Sequence, residues 1–139
     1  MPILHNGVAY FAGDIDRTCW RSGNSDLSQL FQNAMNWVRG TDPIVSIEGA
    51  GLIEAFAWET EAGYALHVLN YTNPNMTHGA IRNSYPLGPQ RVRFRIKEGH
   101  TVKSVRALRA AATLEFQQQL ETVTFELPGI VDYEVVALV

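Results

Sequence analysis

The stretch RVRFRI, residues 91–96, alternates an arginine with an apolar residue three times in succession. Successive side chains of a β-strand point to opposite faces, so this pattern predicts a half-buried strand with its arginines outside. The arginine stripe is open to two interpretations. It could contact an anionic partner, or it could be solvated and paired with glutamates on neighbouring strands.

Short strand patterns recur through the chain after residue 44. Residues 52–58 also have a period of two, with larger side chains at 52, 54, 56 and 58 on one face and residues 53, 55 and 57 on the other. A turn at residues 61–63 joins them to Tyr64–Tyr71 as a hairpin. Further strands are predicted at Val102–Arg109, Thr113–Gln118, Glu121–Leu127 and Tyr133–Val139. About seven or eight short strands at this spacing predict a mainly β protein, an antiparallel β-sandwich.

An N-terminal strand–helix arm is predicted to precede the sandwich. Val8–Ala12 is a short apolar run bounded by glycines, which is typical of a buried strand. A helix is predicted to begin at Asn24 or Ser25, to follow a 3.6-residue apolar period, and to end at Gly40. The predicted division is therefore an arm over residues 1–43 and a β-sandwich domain over residues 44–139.

The composition argues against several classes of function. The 139 residues carry a net charge of −3, with 11 scattered Lys and Arg, which favours no nucleic-acid partner. No apolar run approaches the roughly 20 residues of a membrane helix, and no signal-peptide pattern opens the sequence, so we expect a cytoplasmic protein. The single cysteine, the scattered histidines and the lack of any cofactor motif predict neither a metal nor a cofactor.

The segment GDIDRTCWRSGN, residues 13–24, concentrates charge and aromatic surface between the predicted strand and helix. Loops in such places often hold ligand sites. The candidate ligand or interface residues are Asp14, Asp16, Arg17, Trp20 and Arg21.

These candidates allow a chemical and a structural interpretation. Glycoside hydrolysis uses two carboxylates at a set separation, but Asp14 and Asp16 in an extended segment would point apart. Ion pairs with Arg17 or Arg21 that hold the loop are favoured instead. Trp20 could stack on a sugar ring, although covering a helix or a subunit contact is favoured.

A second group of candidates belongs to the predicted sandwich. Trp58 and Tyr85 could be stacking surfaces for a carbohydrate, with Asn70 and Asn73 as polar contacts. Asn70 could instead hold the end of the hairpin through Asx-type hydrogen bonds. Asn73–Pro89 is predicted to be a long polar loop.

Two parts of the sequence carry a family resemblance. VAYFAGDIDR at residues 8–17, WRSG at 20–23 and the helix ending NWV at 36–38 resemble the end of a flavodoxin-like domain of the β-galactosidase trimerisation type. LHVLNYT at 66–72, PLGP at 86–89 and VDYEVV at 131–136 are similar to the small β-sandwich that follows it in certain bacterial glycoside-hydrolase-like proteins.

The resemblance implies a non-catalytic module, because the barrel that holds the catalytic carboxylates in such proteins is not encoded here. It also implies that Val8, Tyr10, Phe11 and the apolar face of the predicted helix lack their usual neighbours. We expect them to fold back onto the sandwich or to pair with a second copy, for which a two-fold dimer is the simplest arrangement.

Three hypotheses of function follow from these residues. The first is an accessory or assembly module related to glycoside hydrolases, which self-associates through the N-terminal strand and helix. The second is a carbohydrate-binding module that uses exposed aromatic residues, which buried indoles would exclude. The third, a small stand-alone glycoside hydrolase, depends on Asp14 and Asp16 and is the least favoured.

Overall fold

The computed structural model describes residues 3–40, 42–72 and 83–139. Contacts divide the chain into two compact units, Met1–Asp42 and Pro43–Val139. The first unit contains two strands and two helices, namely β1 (Ile3–His5), β2 (Val8–Tyr10), α1 (Ile15–Ser22) and α2 (Ser25–Arg39).

Strand β2 pairs with β1 in an antiparallel hairpin that the sequence analysis did not predict. Asn6 and Gly7 join the strands with φ angles of 46° and 77°. A two-residue type I′ loop needs such left-handed angles, and Asn-Gly is its preferred sequence. The predicted buried strand is wrong, since Val8 and Tyr10 are 62% and 58% exposed and β2 has only this local partner among the described residues.

Helix α1 occupies the segment that was expected to be extended and rich in turns. Asp14 precedes the helix, and Gly23, at a φ of 59°, ends it by donating its N–H to the Cys19 carbonyl at 3.0 Å. The Thr18 and Ser22 hydroxyls each donate to the carbonyl four residues earlier, at 2.7 Å. The prediction failed because this segment has few apolar residues from which to recognise a helical period.

Helix α2 has the predicted bounds, and its two ends explain why. The Asn24 side-chain oxygen accepts from the N–H groups of Asp26 and Leu27 at 2.9 and 3.0 Å. Gly40 adopts a left-handed φ of 66° and donates its N–H to the Asn36 carbonyl at 3.1 Å. These hydrogen bonds pair backbone N–H and C=O groups that have no partner within the helix at its two ends. Both capping residues, Asn24 and Gly40, can be recognised from the sequence.

The second unit is an antiparallel β-sandwich, which confirms the predicted fold class. One sheet has the order β3 (Val45–Glu48), β6 (Gln90–Arg95), β10 (Thr122–Leu127) and β9 (Phe116–Gln119). The other has the order β4 (Ile53–Thr60), β5 (Gly63–Asn70), β11 (Tyr133–Leu138), β7 (Val105–Ala107) and β8 (Ala112–Leu114).

Several predicted strand bounds need correction. Thr113–Gln118 is not one strand, because β8 ends at Leu114 and β9 begins at Phe116 in the opposite sheet. Val102–Arg109 contains only the short strand β7. The hairpin predicted around residues 61–63 is confirmed as β4 and β5, whose register runs from Ile53 opposite Asn70 to Thr60 opposite Gly63.

The core lies between the two sheets and follows the predicted alternation. Val92 and Phe94 of β6 are at most 1% exposed, and Leu66 and Val68 of β5 are fully buried. His67, between the last two, is exposed on the outer face of the sheet, as the alternation requires. These inward residues bring together strands that are distant in sequence, which fixes the sandwich.

The register of the arginine stripe supports the pairing interpretation. Arg91 lies directly opposite Glu48 on β3 and Glu126 on β10. Opposite charges at facing positions of an antiparallel sheet attract one another. The two neighbouring strands therefore supply acidic side chains at the first of the three arginines.

Candidate functional site

The start of α1 brings Asp14, Asp16 and Arg17 together. The Arg17 Nε atom lies 2.9 Å from Asp14 Oδ2, and both side chains are exposed. A hydrogen bond with Asp16 raises the pKa of Asp14 above its ordinary value. The backbone N–H of Arg17 and, after it, the Asp14 side chain lower the pKa of Asp16. The two carboxyl groups thus interact, contrary to the prediction that they point apart, because Asp14 is the N-cap of α1 and Asp16 lies in its first turn instead of in an extended segment.

The other candidates on α1 project away from this cluster. Trp20 is 82% exposed, and Arg21 lies exposed in the last turn of the helix. Cys19 faces α2, where its sulfur lies 3.1 Å from the Ser28 hydroxyl. Four of the five predicted residues therefore lie on one short helix and the fifth, Asp14, is its N-cap, and no described cavity is lined by more than one of them.

An apolar hollow of about 340 Å³ adjoins the Asp14 end of α1. Its walls include Phe11, Ile15, Leu27 and Leu30. Of the predicted ligand or interface residues, Asp14 alone lines it. The hollow could therefore provide a ligand with apolar contacts and one carboxyl group. Apart from the apolar periodicity of α2, no sequence pattern indicated that these residues line a cavity.

A second cavity, also of about 340 Å³, lies beside Trp58 at the open side of the sandwich. We call it the Trp58 groove. Trp58 is 61% exposed near the end of β4, while Tyr64 is half-buried on β5. Its lining is Ile44, Ala57, Trp58, Glu59, Tyr64, Phe94, Arg95, Ile96 and Lys97. The exposed Trp58 indole therefore lies beside a cavity that is also lined by the core residues Phe94 and Ile96.

Two of the lining residues, Glu59 and Lys97, form an ion pair. Lys97 Nζ lies 2.6 Å from Glu59 Oε1 and joins the two sheets, since Glu59 belongs to β4 and Lys97 follows β6. The hydrogen bond and the charge of Glu59 raise the pKa of Lys97 above its ordinary value of 10.5. Neither residue was predicted to belong to a site, because no sequence pattern links two charges that are 38 positions apart.

Tyr64 supports the Trp58 groove through contacts with two of its lining residues, Lys97 and Phe94. Its hydroxyl accepts a hydrogen bond from the Lys97 backbone N–H at 3.1 Å, and its ring meets Phe94 edge-on with centroids 5.5 Å apart. The same hydroxyl lies 3.1 Å from His100 Nδ1. These contacts hold the backbone that carries the Lys97 ammonium.

Asn70 has a structural role that accounts for its side chain. Its Nδ2 donates to the carbonyls of Tyr85 and Val131 at 2.7 and 2.8 Å, and its Oδ1 accepts from the Thr72 N–H at 2.9 Å. The last bond is the predicted Asx-type contact and is confirmed. Asn70 and the half-buried Tyr85 do not line the Trp58 groove, and Asn73 lies outside the described residues.

No group of three or more potential metal ligands occurs among the residues that the structure describes. Within the same residues, neither helix has the length and apolar character needed to cross a membrane.

Comparison with known proteins relates the fold to a glycoside hydrolase. No protein-family model and no curated protein sequence matches the chain. Among solved structures it is similar to the α-L-fucosidase isoenzyme 2 from Paenibacillus thiaminolyticus, with a TM-score of 0.77 and 18% identity. The match covers 94% of this chain and 20% of that one, so the chain spans about one fifth of the fucosidase. At this identity the likeness establishes the fold, and it supports the glycoside-hydrolase resemblance to that extent.

Proposed function

We propose that this chain is a non-catalytic accessory module of the glycoside-hydrolase type. One observation carries the proposal: nearly the whole chain has the fold of a region that makes up only a fifth of a larger α-L-fucosidase. Because fold does not fix function, the activity printed for that enzyme is not transferred to this chain. The accessory role accounts for a chain whose fold matches only about one fifth of the fucosidase.

The geometry of the two acidic candidates supports the non-catalytic part. Glycosidases of both stereochemical types hold their carboxyl groups about 5–9.5 Å apart around the scissile bond. Asp14 and Asp16 share a hydrogen bond instead, and both are exposed at a helix start. A direct contact of this kind differs from the separated pair of carboxyl groups in a glycosidase.

A hydrolysis assay tests this part. The full chain should release no 4-nitrophenol from 4-nitrophenyl α-L-fucopyranoside or β-D-galactopyranoside above the buffer rate. Asp14→Asn should change nothing. Release that Asp14→Asn abolishes would show a catalytic carboxyl group and would overturn the proposal.

Self-association through the first unit is the second part of the proposal. Helix α2 has two apolar stripes: Leu27, Leu30 and Ala34 follow one face, and Phe31, Met35 and Val38 follow another. The second stripe is 39%, 55% and 45% exposed. Ala34 is the only buried residue of the two helices. A second copy related by a two-fold axis would cover this stripe with an identical one.

Light scattering coupled to size exclusion tests the dimer. The expected mass is twice the chain mass of 15.5 kDa at tens of micromolar protein. Met35→Glu should produce the monomer, because it places a charge in the proposed interface. Leu120→Glu is the matched control, since Leu120 is 92% exposed in the other unit. A monomeric wild-type protein at these concentrations would rule out the dimer.

Carbohydrate binding is the alternative function, and the exposure of the indoles favours it. Trp20, Trp37 and Trp58 are 82%, 44% and 61% exposed. Burial of these rings would have excluded the hypothesis. An exposed indole provides the flat apolar surface on which one face of a pyranose can stack. Among the three, Trp58 lies beside a groove with polar groups.

A further inference from the structure

The Trp58 groove combines the two surfaces that a sugar ring presents to a protein. One face of a pyranose carries C–H groups and suits an aromatic ring, while its edge carries hydroxyls that need hydrogen-bond partners. In the groove, the exposed Trp58 indole provides the apolar surface. The Glu59 carboxylate and the Lys97 ammonium provide an acceptor and a donor a few ångströms from one another.

The polar groups of the groove have partners before any ligand binds. Lys97 Nζ is bonded to Glu59 at 2.6 Å, and the Lys97 backbone is bonded to the Tyr64 hydroxyl at 3.1 Å. Tyr64 in turn packs against the buried ring of Phe94. Tyr64 thus fixes the Lys97 backbone before binding, which reduces the entropy lost when a small ligand binds.

Charge and size narrow the class of ligand. Two cations and one carboxylate line the groove. The Lys97 charge is already matched by Glu59, so an anionic ligand would have to compete with a carboxylate for it, and the Arg95 guanidinium can donate hydrogen bonds to a ligand hydroxyl. A hydroxyl can instead bond to both members of the pair without separating them. The volume of about 340 Å³ is at the low end for small-molecule sites, which run from about 300 to 1,000 Å³.

We propose that the Trp58 groove binds a single neutral hexopyranose unit, which stacks on Trp58 and bonds through its hydroxyls to Glu59 and Lys97. The proposal rests on the alternative function, carbohydrate binding, and names its site and ligand class. It is independent of the accessory role and of self-association, whose tests measure hydrolysis and mass.

Saturation-transfer NMR on the full chain tests the site, because it detects millimolar binding. The probes are the methyl glycosides of α-L-fucose, β-D-galactose and β-D-glucose, with methyl β-D-glucuronide as the acidic comparison. At least one neutral sugar should receive saturation, strongest at the C–H protons of one ring face. Trp58→Ala should weaken its binding roughly tenfold, the loss of about 1.4 kcal/mol expected for an aromatic contact.

Two further variants distinguish sugar binding in the Trp58 groove from nonspecific binding elsewhere on the protein. Trp37→Ala removes an exposed indole of the other unit and should leave the signal unchanged. Glu59→Gln frees the Lys97 charge and should shift the preference from the neutral sugar towards the glucuronide. Circular dichroism should show that every variant keeps its sheet content, since Trp58 and Glu59 are both exposed.

Three results would overturn the proposal. They are no saturation of any neutral sugar by the folded protein, equal saturation in Trp58→Ala, and a preference of the wild-type protein for the glucuronide. The first would leave the accessory role standing, because hydrolysis and self-association are measured separately.

Discussion

Glu134 shows how strongly a single buried side chain can be tied to the backbone in this fold. It is 4% exposed, and its carboxylate accepts from the N–H groups of Arg109 and Val135 at 2.8 Å and of Ala110 at 3.0 Å. Three donors converge on two oxygens, so the carboxylate organises the turn after β7 against β11. Its acidic side chain gave no sign of this role in the sequence.

Glu134→Gln should therefore destabilise the protein despite its nearly unchanged shape. The amide nitrogen must replace one carboxylate oxygen and face a donor, which leaves a buried N–H without an acceptor. We expect a loss of about 1–3 kcal/mol in the free energy of unfolding, measured by urea denaturation. Glu126→Gln, at an exposed position of β10, is the control and should change it by less than about 0.5 kcal/mol. Equal effects of the two variants would contradict this role.

The raised pKa of Lys97 leads to a prediction about how stability depends on pH. Its pKa is raised by Glu59, so the ion pair contributes its stability fully below the ordinary lysine pKa of 10.5 and loses it as pH rises through the raised value. In Glu59→Gln the Lys97 pKa should fall back towards 10.5. NMR titration of the Lys97 side chain between pH 9 and 12, in the wild-type protein and in the variant, measures both values. An unchanged Lys97 pKa in the variant would show that Glu59 is not the cause.

At the scale of elements, the β4–β5 hairpin depends on a close approach to β11. Gly63 begins β5 with a φ of 140°, and a Cβ added there would overlap the Leu138 carbonyl oxygen. Both the conformation and the space therefore require glycine.

Gly63→Ala should lower the free energy of unfolding by about 2 kcal/mol or more, through backbone strain and displacement of the strand end. Gly88→Ala is a matched control, because a Cβ at Gly88 meets nothing within 4 Å and its φ is not positive. Thermal unfolding of both variants checks the difference. A Gly63→Ala protein as stable as Gly88→Ala would contradict the close approach.

The helices illustrate how much of an element the sequence could reveal. Helix α2 was predictable because its apolar residues have a helical period and its ends carry Asn24 and Gly40. Helix α1 was not, since its eight residues are mostly polar and its N-cap, Asp14, forms no side-chain capping bond. The contact between Asp14 and Asp16 forms at the start of that helix and was missed with it.

At the scale of the whole molecule, the buried core belongs almost entirely to the second unit. Of the sixteen buried apolar residues among those described, fifteen lie beyond residue 43, and the remaining one is Ala34. Since apolar burial is the main favourable term in folding, the sandwich has the means to fold by itself.

Residues 43–139 alone should therefore keep a β-type circular dichroism spectrum and unfold in one cooperative transition. A domain of this length is expected to have a stability of about 5–15 kcal/mol. Residues 1–42 alone should unfold without a sharp transition, because chains of about 40 residues rarely bury enough surface. Loss of sheet structure in residues 43–139 would show that the sandwich depends on the first unit.

The sequence by itself determined the local features of this protein. Period-two alternation in residues 91–96 predicted which side chains face the core, and the ends of α2 predicted its bounds. These patterns involve residues only a few positions apart, so they can be recognised directly in the sequence. They also led to the sandwich as a class, because many short alternating strands can bury their apolar faces only by packing in two layers.

Only the tertiary structure decided which strands are neighbours and which polar groups meet. It pairs Glu59 with Lys97 across the two sheets, bonds Asn70 to the carbonyls of Tyr85 and Val131, and places Trp58 beside a groove. Alternation fixes the face of a side chain but not its partner strand, because any apolar face can pack against any other. The groove that we propose for a sugar therefore arises from strand order, which the sequence pattern leaves open.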